Sequence, residues 1–507
     1  MKLASPPPAL LLCFAAVAPA PAFARGVPVL HTDGLQQQLE TWFARAQRVA
    51  PGTWGIAVAT LEGQLLWAVQ PTRPMIPAST VKLFTTGFAR SVLGGEARRI
   101  TRVLGTGHLD PFDGTWVGNW TLELNGDPTL ERPLHGGPTL LELTEQLRGL
   151  GIRRLTGPFS LASATGEAVS GFPAVWESRY QGRYFAPLVG DIVVNEGLVT
   201  FAVGAGSAAG KRAQLRSATP AGLADLVEIQ AKTVVGTRSR LRVRKEAGGR
   251  YLVVGTIGTR ARPRWFTLTA HEPKALVEAI WARALHQVGI EWERDSLPTR
   301  PAFPLASRAV LAQVTSVPFD SIAMEINRRS LNVGAELLLR WAGGSQNAAD
   351  RLTEHVRQVT GELSGVRLVD GSGLSREDRV TPLAFISYLA RFPLLPAGRG
   401  FPMLLPTNGI GTLRKLAIGM PGPGIVRAKT GTLGDAATVV GYLGRAEGVL
   451  LISLMYNGRR VYTARQEQWK LFRLLGAQGV LIPEDSLSIG AQLGGAGEPD
   501  TVPRPEP

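Results

Sequence analysis

The sequence predicts an α+β fold: an antiparallel sheet flanked by helices and joined to a helical lobe, interrupted by a large β-rich insertion. Three patterns carry this reading. The chain opens with a helix, a hairpin and a second helix between Leu35 and Arg90. It closes with a strand, a hairpin and a helix between Ile425 and Leu475. Between these, from about Ile100, short strands and turns follow one another without the regular helix–strand alternation of a parallel sheet.

The first 24 residues read as a secretory signal. Lys2 supplies the charged start, Ala9–Ala18 an apolar stretch too short to span a bilayer, and Ala22-Phe23-Ala24 a cleavage site. A lipoprotein anchor at Cys13 or a packed helix are the other readings. Leu12 before the cysteine fits the first poorly, and Pro6-Pro7-Pro8, Pro19 and Pro21 argue against the second. Cys13 is the single cysteine, so the mature chain has no disulfide, thiol nucleophile or cysteine-ligated metal. An exported chain of this kind suits a bacterial periplasm. No later stretch is apolar enough for a transmembrane helix. The 507 residues carry a net charge of +15, which favours anionic partners. Only nine of the 55 basic residues are lysines, so part of that charge reflects an arginine-rich composition.

Leu35, Leu39, Trp42, Phe43 and Ala46 recur at helical spacing. Strands Trp54–Thr60 and Leu65–Val69 follow, joined at Glu62-Gly63, and then a helix over Leu83–Arg90. In the insertion, strands are expected at Val103–Leu109, Trp116–Leu124 and Leu155–Ala162, with a helix at Leu140–Leu150. Thr237–Ile257 reads as a hairpin turning at Gly248-Gly249. Arg238, Arg240, Arg242 and Arg244 fall on one face of its first strand. They either block edge pairing or contact an anionic glycan, lipid or other envelope component. The strand lacks the interleaved aromatics of a nucleic-acid site, and no nucleic acid is expected. Helices are expected at Lys274–Gly289 and over most of Val310–Ala342, with a break at Arg329–Asn332. Another follows at Thr381–Ala390. Pro301–Ser307 reads as a linker, Ile425–Leu433 as a strand, Val439–Leu443 and Val449–Tyr456 as a hairpin, and Thr463–Leu475 as the closing helix. The domain plan is thus 1–24 signal, 25–96 with 308–484 as one domain, 97–307 inserted with a nested unit near 197–262, and 485–507 a disordered tail.

The helix after Pro77 holds the chemistry. Ser79 lies in its first turn and Lys82 three residues on, on the same face. A serine hydroxyl needs a base, and a lysine serves only when neutral, which burial and the helix N-terminus both favour. Ser-x-x-Lys also arises by accident on solvated helices, although Lys82 alone among the lysines has a serine at that spacing. Ser330 and Asn332 at the helix break either project into one cavity or cap the helix that follows. Lys429 and Gly431 share a strand face, where a bare glycine beside a cation suits an extended substrate with a carboxylate. Ser372, in Asp370-Gly371-Ser372-Gly373, lacks the spacing of a nucleophile elbow.

Ser79-x-x-Lys82, Ser330-x-Asn332 and Lys429-Thr430-Gly431, in that order, resemble the motifs of the penicillin-recognising serine acyltransferases. The 248-residue step from Lys82 to Ser330 is similar to the low-molecular-mass class C penicillin-binding proteins, the D-alanyl-D-alanine carboxypeptidase/endopeptidase family. Gly126-Asp127-Pro128-Thr129-Leu130, Tyr184-Phe185-Ala186-Pro187 and Asp370–Ser375 add to the resemblance, which spans nearly the whole mature chain. It implies a penicillin-binding transpeptidase-like domain and a serine D,D-peptidase acting on peptidoglycan stem peptides, inhibited by β-lactams, with no metal or cofactor. Ser79 would be the nucleophile and Lys82 its base. Ser330 would shuttle the proton to the leaving amine, with a charged Lys429 keeping that path electropositive. Asn332 would hold the substrate amide, Thr430, Gly431 and Thr432 would line the site, the two threonines receiving the carboxylate, and the N–H groups of Ser79 and Thr432 would form the oxyanion hole. The family's acidic residues after the Leu155–Ala162 strand are replaced here by Ser163-Ala164-Thr165-Gly166-Glu167. A catalytically weak peptidoglycan-binding scaffold and a serine β-lactamase are the alternatives.

Overall fold

The computed structural model describes residues 32–165, 170–293, 308–362 and 364–482. The expected signal at 1–24, the linker Pro301–Ser307 and the tail lie outside the described residues.

The two ends of the chain build one antiparallel five-stranded sheet, in the order Val426–Leu433, Ala436–Arg445, Gly448–Asn457, Thr53–Thr60, Leu65–Val69. Strand alternation sorts its apolar residues to two faces. Ile56, Val58, Ile452 and Leu454 pack under helices Thr32–Val49 and Val461–Gly476, with Leu39, Trp42 and Phe472. Ala57, Ala59, Leu451 and Met455 face the helical lobe. That lobe comprises Val81–Leu93, Phe319–Arg329, Asn332–Gly343, Ala348–Thr360 and Pro382–Arg391. The helix Ala348–Thr360 has no counterpart in the sequence reading.

Residues from Ile100 to Thr315 form three further sheets. The largest runs Glu291–Trp292, Arg154–Thr156, Thr115–Leu124, Ile100–Leu109, Ala309–Thr315, with Phe159–Ser163 also on Thr115–Leu124. Helices Leu140–Gly149 and Pro273–Gln287 share its core, around Trp120 and Trp281. Two expectations are corrected here. Val310–Thr315 is strand, not helix: its antiparallel pairing with Ile100–Leu109 puts it in the inserted sheet, and the helix starts only after Pro318. The expected strand Leu155–Ala162 is two short strands, both parallel to Thr115–Leu124, broken where Pro158 has no N–H to donate. The hairpin at Gly248-Gly249 forms with Lys245 opposite Tyr251 and both glycines at φ +71°.

Phe84, on the Ser79 helix, is buried against Phe385 (centroids 4.7 Å apart, stacked) and edge-on to Tyr388 at 4.9 Å. Phe84→Ala should destabilise the protein by about 3–5 kcal/mol. Chemical denaturation checks this, and a loss under about 1 kcal/mol would show that this packing does not hold the helix.

Candidate active site

Ser79 sits in a tight turn, Ala78–Thr80, that leads into helix Val81–Leu93. Ala78 has φ +49°, a left-handed conformation that costs an alanine about 1–3 kcal/mol. The turn is gripped from two sides. A Cβ on Gly431 would lie 2.7 Å from the Pro77 carbonyl oxygen and 2.8 Å from the Ser79 nitrogen. One on Gly373, at φ +72°, would lie 2.0 Å from the Ala78 carbonyl oxygen. Thr438 Oγ1 and Thr80 Oγ1 each donate to the Pro77 carbonyl at 2.6 Å. Gly431 is therefore bare where the Ser79 turn approaches the strand.

Lys82 is fully buried and Ser79 half-buried. Lys82 Nζ lies 3.0 Å from Ser79 Oγ, 2.5 Å from Asn332 Oδ1 and 2.6 Å from the Ser372 carbonyl oxygen. Burial lowers its pKa to about 7, against an opposing pull from Asp370, Glu336 and Asp378. A neutral amine has two N–H bonds and one lone pair. The two acceptor-only partners take the N–H groups, which leaves the lone pair for the Ser79 hydroxyl. Asn332 is fixed in turn by Nδ2, which donates to the Phe185 carbonyl at 2.8 Å.

Ser330, at φ +59°, ends helix Phe319–Arg329, and neither it nor Asn332 caps the next helix through its side chain. Lys429 Nζ donates to Ser330 Oγ at 2.9 Å and to the Thr430 carbonyl at 2.7 Å. Lys429 does not lie open on the strand for a substrate carboxylate. Lys429 is completely buried, and desolvation, then Lys82 and Arg465, push its pKa well below the usual lysine range. Strand Val426–Leu433 turns Lys429 inward and leaves Thr432 exposed. The cation at Thr432 is Arg465, whose guanidinium bonds the Gly431 carbonyl and lies 3.2 Å from Thr432 Oγ1. Arg465 was not legible as a site residue, since an arginine on the closing helix looks like any solvated one.

Beneath Lys82 lies a group of acids of which only Asp370 belongs to a sequence motif. Asp370 accepts from the N–H groups of Ser372, Gly373 and Ser375 and from Trp176 Nε1. Glu336, one helical turn beyond Asn332, accepts from the Gly371 N–H at 3.1 Å. Burial, with Asp370 second, raises the Glu336 pKa to about 8, and Asp378 is raised well above the carboxylate range for the same reasons. Ser372 is wholly buried, which rules it out as a nucleophile.

The family model of the D-Ala-D-Ala carboxypeptidase 3 (S13) family matches residues 35–475. The chain belongs to this family. This S13 chain is 26% identical over 468 residues to the D-alanyl-D-alanine carboxypeptidase of Actinomadura sp. (strain R39), covering 87% of this chain and 85% of that one. Its fold matches the crystal structure of penicillin-binding protein 4 from Haemophilus influenzae at a TM-score of 0.68 and 21% identity, over 85% of this chain and 99% of that one. The same protein complexed with a β-lactam matches at a TM-score of 0.64 and 22% identity over the same shares. The S13 chain is a serine-type D,D-peptidase.

In this S13 peptidase the start of the Ser163–Glu167 run is organised by an acid from elsewhere. Asp191 is buried and accepts from the hydroxyls of Ser163 and Thr165, while its carbonyl accepts from the Gly126 N–H at 2.9 Å. Glu167 lies outside the described residues. Gly431→Ala should cut peptidase turnover by up to about 100-fold, because the added Cβ would displace the Ser79 turn from its place against this strand. Steady-state kinetics check it, and wild-type turnover would mean the Ser79 turn tolerates displacement.

Proposed function

We propose that this peptidase cleaves the D-Ala-D-Ala and related D,D-bonds of peptidoglycan stem peptides through an acyl-serine intermediate, with Ser79 as nucleophile and Lys82 as its base. The observation that carries the reading is the buried Lys82 amine, 3.0 Å from Ser79 Oγ, with Asn332 Oδ1 and the Ser372 carbonyl as its other two partners. Ser79 Oγ attacks the carbonyl carbon as its proton passes to Lys82. The N–H groups of Ser79 and Thr432 receive the developing oxyanion. Collapse breaks the C–N bond, and the leaving amine takes a proton through Ser330, whose hydroxyl Lys429 orients. Water then hydrolyses the acyl-serine. The terminal carboxylate rests on Thr430 and Thr432, with Arg465 rather than Lys429 as its nearest cation. Asn332 has one Nδ2–H left for the substrate amide. A β-lactam enters the same sequence and stops at the acyl-enzyme.

The site belongs to a domain formed by residues 25–96 and the chain after the insertion, which presents Phe185 to it. Export through the 1–24 signal would bring the mature protein to the periplasm, where its substrate lies. Among the described residues no helix is long and apolar enough to cross a membrane. A non-catalytic scaffold would have no need for a desolvated lysine against a serine.

Labelled penicillin should attach to the wild-type protein at Ser79, and Ser79→Ala should abolish the label; full labelling of the variant would sink the assignment. The pH dependence follows from the direction of the Lys82 shift. Its base form dominates above about pH 7, so the acylation rate should fall about tenfold per pH unit below that value and level off above it. Lys82→Arg keeps the charge, cannot deprotonate, and should lose at least about 100-fold at every pH. Second-order β-lactam acylation rates across pH measure both. A flat profile, or a near-wild-type rate in Lys82→Arg, would assign the base elsewhere.

A further inference from the structure

Most of the chain's excess charge is concentrated in one small part of the insertion. Residues 198–270 carry thirteen lysines and arginines against three acids, Asp225, Glu228 and Glu246, which is ten of the chain's fifteen net positive charges. All thirteen cationic side chains are exposed. Arg238, Arg240, Arg242 and Arg244 have no ion-pair partner among the described residues. Composition drift accounts for arginine in place of lysine, but not for this clustering.

The cations spread in two dimensions. Along strand Ser239–Lys245, Arg240, Arg242 and Arg244 stand about 7 Å apart on one face, while Leu241 on the other face is buried. Across the sheet, Arg240 is opposite Thr256, Thr256 is opposite Lys232, and Lys232 bridges to Arg212. Directly opposed residues point to the same side of a sheet. The row Arg240–Thr256–Lys232–Arg212 therefore extends the arginine file sideways. Val254 and Leu252, opposite Arg242 and Arg244, lie half-buried between the cations, and Glu228 and Glu246 are the acids at the margin of this face.

Edge protection explains part of this pattern, because Ser239–Lys245 is the outer strand. It does not require a single sign of charge, nor cations at Lys232 and Arg212 toward the opposite edge of the sheet. A threadlike polymer held by sugar or base stacking needs aromatic platforms, and none of the residues named on this face is aromatic. A flat, two-dimensional field of guanidinium and ammonium groups over aliphatic side chains matches a plane of phosphate headgroups. We propose that this face docks the protein on a membrane surface rich in anionic phospholipid, holding the peptidase as a peripheral protein.

The test uses the mature full chain and sedimentation with vesicles of phosphatidylglycerol and phosphatidylcholine, against vesicles of phosphatidylcholine alone. Binding is expected to the anionic vesicles only, and to weaken as salt rises from about 50 to 200 mM. The triple variant Arg240→Gln/Arg242→Gln/Arg244→Gln should lose on the order of 100-fold in apparent affinity. Thermal unfolding of the variant confirms that it folds. If it does not, the salt titration of the wild-type protein decides alone, and salt-insensitive binding overturns the proposal. It is also overturned if the folded variant binds as the wild type does, or if neither vesicle is bound. Retention by soluble polyphosphate without vesicle binding would likewise overturn it and assign the face to a polymer.

Discussion

The Ser79 site depends on keeping water away from one amine. A lysine in water is a cation at neutral pH and cannot take a proton from serine. Lys82 escapes this because helix Val81–Leu93 carries it into the interior, where the ionic form loses its hydration. The same burial demands that its hydrogens be used, and Asn332 and Ser372 use them. Those two groups come from different parts of the chain, so the fold must close before this environment of Lys82 exists. The close fit explains the bare glycines: Gly373 and Gly431 let two segments touch the Ser79 turn, and that contact holds Ala78 in an unfavourable conformation.

The acids beneath the lysine work against it unless they too are neutralised. Three ionised carboxylates beside Lys82 would restore its charge. Burial instead pushes Glu336 and Asp378 toward the protonated form. The Asp370 carboxylate is occupied by three backbone N–H groups and an indole, which shape the turn that delivers the Ser372 carbonyl. A layer of buried acids behind Lys82 thus opposes, in part, the effect of its desolvation.

Much of this was legible in the sequence, for identifiable reasons. Hydrophobic period and turn residues located the terminal sheet and most helices, because each such element buries one face locally. Val310–Thr315 was misread because its apolar run fits a helix or a buried strand equally, and only its partner Ile100–Leu109 decides between them. The split at Pro158 was signalled by the proline and overlooked. At the site, Ser79, Lys82, Ser330, Asn332 and Lys429 were read from spacing, and the structure brings them together. Their protonation was harder. Lys429 was expected to be charged, but its burial depends on which side of a strand meets a helix 99 residues earlier in the chain. Arg465, Glu336 and Asp191 carry no local pattern, and only tertiary contact distinguishes them from surface charges.

The central sheet also constrains the order in which the molecule can assemble. Strand Thr53–Thr60 takes Gly448–Asn457 as its neighbour, nearly 400 residues away. The loop entropy for that pairing is lost before any contact repays it, so such non-local sheets form late. The sheets between Ile100 and Thr315 close mainly on themselves and have no such wait. Ser79 therefore lies far ahead in the chain of the groups that enclose it, Asn332 and Ser372 at Lys82 and Gly431 at the Ser79 turn. A nascent or truncated chain carries the serine and the lysine on one helix, yet the lysine remains an ordinary wet cation. The site is assembled only when segments far along the chain from Ser79, first Asn332 and Ser372 and then Gly431, pack onto it.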